Sequence, residues 1–93
     1  MASPKKVLIL ARRDHAEAMR IAAGMTIADH QVRLIFMSGP VAETPENAEQ
    51  AETLELAGIV PETTVQEMGD ELSLLDSAAL ARAIGESDRV ISI

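Results

Sequence analysis

Apolar and polar positions along the chain fall into blocks, and each block reads as one element. Val7-Leu8-Ile9-Leu10-Ala11 is five apolar residues without alternation, the pattern of a strand buried on both faces, as a parallel sheet covered by helices requires. The polar run Arg12-Arg13-Asp14-His15 follows. With Asp14 as N-cap, residues 15–29 contain good helix formers and no proline, which predicts a first helix. Its polar residues Glu17, Arg20 and Gly24 lie three and four apart on one narrow stripe, and most of the remaining circumference is apolar. A helix with so little polar surface buries a second face, either against another subunit or between neighbouring helices.

Asp29-His30-Gln31 turns into residues 32–37, a second strand rich in branched and aromatic side chains that ends in Ser38-Gly39-Pro40. One β-α-β unit is then complete, with a right-handed crossover expected. Thr44-Pro45-Glu46 supplies an N-cap, a proline at the first helical position and an acid in the first turn, so a second helix starts here and closes at Gly58. Ala48, Ala51, Leu54 and Ala57 form its thin apolar stripe, and Glu46, Glu49, Glu52 and Glu55 crowd the other side. Residues 63–67 predict a third strand near an edge, and residues 68–71 a turn. Residues 72–75 lead into a third helix with Asp76 as N-cap, Leu75 and Leu80 as a hydrophobic staple, and Gly85 as the stop. Residues 89–93 form a final strand. This alternation predicts a single domain over residues 1–93, a three-layer α/β/α arrangement with a mainly parallel four-stranded sheet in the order β-α-β-α-β-α-β.

Composition narrows the chemistry. With no cysteine there is no disulfide, no thiolate nucleophile and no Cys-based zinc or iron-sulfur site. Phe36 is the one aromatic residue, so the core must be assembled from Ala, Leu, Ile, Val and Met. A net charge of -7 repels phosphate backbones, and the stacking platforms of single-strand binders are missing, which argues against nucleic acid. No apolar run approaches the roughly 20 residues that span a bilayer, and no signal-peptide pattern opens the chain. The expectation is a cytoplasmic protein with no membrane contact. Ninety-three residues are few for a three-layer core, so help from a second copy is expected.

In open parallel sheets, ligands bind beyond the strand C-termini at a topological switch point. The loops there are residues 12–15, 38–41 and 68–71. Arg12 and Arg13 beside a helix N-terminus suit a small anion or nucleotide, or else are solvated arginines in an acidic protein, since no Gly-rich phosphate loop accompanies them. Asp14-His15 reads as a base held by a carboxylate, or as an ordinary helix start with no Ser or Cys nucleophile tied to it. Ser38-Gly39 offers backbone N–H groups or makes a tight turn. Asp29-His30 sits at the far end of the helix and is structural. The glutamates of helix two have no histidine among them and read as a solvated face, not a metal site. The candidate binding residues are Arg12, Arg13, Asp14, His15, Ser38, Gly39, Met68 and Gly69, and no catalytic set, cofactor or metal is indicated.

The strand KKVLILARRD, a helix of small residues, the strand VRLIFMSGPV, the acidic helix closing in LELAGI and the terminal SDRVISI together resemble the DsrE/DsrF-like family of small α/β proteins of sulfur trafficking. The likeness spans nearly the whole chain, in pattern and length. It implies a DsrE-like, flavodoxin-like architecture and an oligomer. Sulfurtransferase members of that family carry an active cysteine, generally in the loop after a central strand, that accepts persulfide sulfur and passes it to a partner. The corresponding loop here is Glu67-Met68-Gly69-Asp70, and a thioether cannot form a persulfide. The resemblance therefore implies a non-catalytic member, a homo-oligomer acting through protein contacts in a sulfur-transfer or redox-related setting, with a protein partner in a relay. The rival readings are a small-anion or nucleotide-binding module and an enzyme using Asp14 and His15. A receiver domain is excluded, because acids are not gathered at the ends of the first and third strands and no lysine follows a late strand.

Overall fold

Lys6–Ala11 (β1) is an interior strand of the computed structural model, which describes residues 5–93. Its Leu8, Ile9 and Ala11 are wholly buried and Val7 and Leu10 nearly so, as an unbroken apolar run demands when both faces are covered. Around it lie His15–Ile27 (α1), Gln31–Phe36 (β2), Pro45–Leu56 (α2), Glu62–Thr63 (β3), the short 3-10 turn Gln66–Met68, Ser73–Leu74 (β4), Ser77–Glu86 (α3) and Arg89–Ser92 (β5). The five strands are all parallel, in the order β4-β3-β2-β1-β5.

The chain steps from β1 towards β4 in one direction and then returns through α3 to β5, on the other side of β1. Right-handed crossovers place helices on opposite faces when the direction reverses, and the cores divide accordingly. Val7, Ile9, Ala11, Leu34 and Phe36 pack with buried α1 residues and Leu54 of α2, whereas Leu8, Leu10 and Ile35 pack with Ala83 of α3. This is the predicted three-layer α/β/α arrangement, with five strands in place of four.

Two segments explain the extra strand. Thr63 is fully buried, and its hydroxyl accepts from the N–H of Val65 at 2.9 Å while donating to the carbonyl of Phe36 at 3.1 Å. That local bond turns the chain out of the ladder, so the third strand ends at Thr63 and does not run on to residue 67. Ser73–Leu74, expected as a lead-in to the third helix, instead pairs with β3, and the N–H of Leu75 donates to the carbonyl of Thr63 at 2.8 Å. Ser73 and Leu74 carry little strand signal by themselves, and the neighbouring strand's open edge decides their state. The third helix passes Gly85 and ends at Glu86, with the Ser87 hydroxyl on the carbonyl of Ala83 at 2.7 Å.

The first helix ends at Ile27, and Asp29 takes a left-handed φ of 68° beyond it. Of its broad apolar surface, Ala18, Met19, Ala22 and Ala23 are buried, and α2 packs against α1. On the α3 face, the Arg33 guanidinium donates twice to the Glu62 carboxylate, at 3.0 and 2.9 Å, and Glu86 stands 3.8 Å away. The hydrogen bonds to Glu62 hold the Arg33 guanidinium above its ordinary pKa.

Candidate functional site

The N-termini of α1 and α2 both point to the C-terminal edge of the sheet, and an open polar crevice of about 530 Å³ lies between them. Arg13, Asp14, His15 and Pro40 line one side and Thr44, Glu46 and Asn47 the other. Asp14 is the N-cap of α1, its carboxylate accepting from the N–H of Glu17 at 3.0 Å. Thr44 does the same for α2, accepting from the N–H of Asn47 at 3.1 Å. His15 is half-buried against Phe36, edge to face with ring centroids 5.4 Å apart, and its Nε2 lies 3.3 Å from the carbonyl of Met37. These contacts clamp the start of α1 onto the end of β2. The Asp14 carboxylate thus serves the helix, and the imidazole serves the strand.

The switch point lies between β1 and β5, where Arg12 and Arg13 emerge with both side chains exposed. Their backbone N–H groups converge on one acceptor, the carbonyl oxygen of Ile93, each at 2.8 Å. The main-chain donors that would cradle an anion here are therefore already engaged. Each helix N-terminus also meets a carboxylate of the chain itself, Asp14 in one case and Glu46 in the other, which offsets the positive end of the helix dipole. Ser38 takes a left-handed φ of 76° in the turn beside the crevice, with Gly39 following it.

Met68 and Gly69 are not part of this crevice. Gly69 closes the 3-10 turn, where a Cβ would stand 3.2 Å from the carbonyl of Gln66, and Met68 faces the opposite flank of α2. An apolar groove of about 420 Å³ opens there, floored by Met19, Phe36, Leu54 and Ile59 and walled by Val60 and Met68. It continues towards the N-terminus of α2 as a second hollow of about 440 Å³ that shares Val41, Ala51, Met68 and Glu71 with the first. The groove exists because β3 and β4 are two residues each and α2 leans on α1. Leu54 is the one fully buried residue of α2, so this half of the sheet lacks a helical cover. Val60, 84% exposed, stands open at the end of the groove.

Of the three predicted loops, the first lies at the crevice, the third at the groove, and the second touches both, with Pro40 at the crevice and Val41 at the groove. Sequence reasoning missed Val60 and Ala51 as surface features. The available signal was an apolar residue after a glycine helix stop and an alanine stripe too thin to fill a helix–sheet contact. No protein-family model, no curated protein and no solved structure matches this chain. Among the described residues there is no cluster of three or more metal-ligating side chains, and no helix is long and apolar enough to cross a membrane.

Proposed function

We propose that this is a non-catalytic, DsrE-like α/β protein that acts through protein contacts in a sulfur-transfer or redox-related setting, with the partner seated in the groove beside α2. The observation that carries the reading is the groove itself: contiguous apolar surface flanked by polar positions marks an interaction site in a small domain. The absence of cysteine supports contact over persulfide chemistry. The small-anion reading has less support, because the N–H groups of Arg12 and Arg13 are engaged and Asp14 and Glu46 sit at the helix starts. Ile27 and Leu56, 81% and 84% exposed at the C-terminal ends of neighbouring helices, support self-association through a separate contact.

Photo-cross-linking in the producing cell tests this. A photoreactive residue in place of Ala51 or Val60 is expected to give a discrete protein adduct, and one in place of Arg12 or Ser38 none. Adducts confined to positions 12 and 38 would sink the reading, and thermal stabilisation by phosphate or nucleotides would then favour the anion-binding alternative.

A further inference from the structure

We infer that the groove takes an amphipathic helix bearing Lys or Arg beside its apolar face; this rests on the contact function proposed above. The charged residues that line the two joined hollows are Glu55, Glu71 and Glu43, and all are carboxylates. A second copy laid groove to groove would set these acids against themselves, in a protein of net charge -7, so like-charge repulsion selects against it. A basic partner meets complementary charge on both rims.

Shape selects a helix. The hollows run along α2, whose 12 residues span about 18 Å, enough to seat about three turns of a partner through side chains at i, i+3, i+4 and i+7. Met19 and Met68, at the floor and the wall, are unbranched and adapt to varied apolar knobs. The bare rim of β4 adds little competing strand edge, being only Ser73–Leu74.

The test uses three fluorescein-labelled synthetic peptides with the full chain: a Leu/Ala/Lys amphipathic helix, the same peptide with Glu for every Lys, and the Lys peptide with its order scrambled. Fluorescence anisotropy is expected to give the Lys helix at least about tenfold tighter binding than either other peptide, with the preference shrinking at high salt. Ala51→Arg, at an exposed helix position, should abolish binding, and the double variant Glu55→Gln/Glu71→Gln should cut the Lys-over-Glu preference to about threefold or less. Circular dichroism of each variant verifies an unchanged fold, and Val60→Lys repeats the block if Ala51→Arg fails to fold.

Equal or tighter binding of the Glu helix, still blocked by Ala51→Arg, would overturn the basic partner and leave the groove as a contact site. Equal binding of the scrambled peptide would reduce the effect to bulk charge and overturn the helix. Sedimentation that finds a dimer abolished by Ala51→Arg would assign the groove to a second copy. No binding of any peptide, together with no adduct at positions 51 and 60, would remove the contact function as well.

Discussion

Replacing Thr63 with valine keeps the shape of a fully buried side chain and removes its hydroxyl. The carbonyl of Phe36 keeps a partner in the N–H of Thr64 at 3.0 Å. The N–H of Val65 loses the hydroxyl it donates to at 2.9 Å, within a residue only 7% exposed. A buried donor left unpaired costs about 1–3 kcal/mol, and the extra apolar methyl offsets part of that, so Thr63→Val should destabilise by about 1–2 kcal/mol. For a domain of this size the midpoint of thermal unfolding should fall by about 5–15 °C. Thr63→Ser keeps both hydrogen bonds and loses one buried methyl, at about 1 kcal/mol. Because the two losses overlap in size, the deciding assay is amide hydrogen exchange. Val65 should exchange faster in Thr63→Val and at the wild-type rate, corrected for global stability, in Thr63→Ser. Because Val65 leads into the turn that carries Met68, the valine variant should also loosen the groove wall. Wild-type protection of Val65 in Thr63→Val, with a shift below about 0.3 kcal/mol, would refute the view that this hydroxyl ends β3.

Leu54→Ala should cost about 2–3 kcal/mol in denaturant unfolding, the low end for such truncations, because the vacated volume opens into the groove where water can enter. Two left-handed positions should respond with opposite signs in thermal melts. Gly58→Ala, at φ 78° with nothing within 4 Å of a new Cβ, should lose about 1 kcal/mol through backbone strain alone. Ser38→Gly, at φ 76°, should gain about 0.5 kcal/mol, the strain relieved less the added freedom of the unfolded chain. The hydrogen bond from Arg20 holds the Glu17 carboxyl below its ordinary pKa. Its contribution is present above the ordinary glutamate value and is lost as pH falls through the lowered folded value. A carboxyl titration by NMR should find Glu17 below a reference peptide in the wild type and back at the reference in Arg20→Gln.

Where one local pattern dictated one state, the chain could be read directly. The unbroken run from Val7 to Ala11 admits little but a strand covered on both sides. Asp14, Thr44 and Asp76 cap their helices as their positions in sequence suggested, each through a side-chain oxygen and the N–H three residues on. The segment from Thr63 to Leu75 resisted the same treatment. Its outcome depends on which partner reaches a backbone group first, the ladder or a threonine hydroxyl, and on whether an open strand edge lies beside two leucines. Those are contacts between residues distant in the chain, and propensity does not contain them.

The candidate site divides along the same line. That Arg12, Arg13, Asp14 and His15 stand at the end of the first strand followed from the order of apolar blocks. That the N–H groups of the two arginines close on Ile93 follows only once the last strand has returned beside the first, and that His15 packs on Phe36 only once the second strand has paired with it. The sequence by itself determined the layers, the helix starts and the acidic, thiol-free chemistry, because each depends on side chains close together in the chain. Tertiary structure alone decided that α2 rests on α1 and leaves one flank of the sheet uncovered, because a gap is defined by the distance between elements and belongs to none of them.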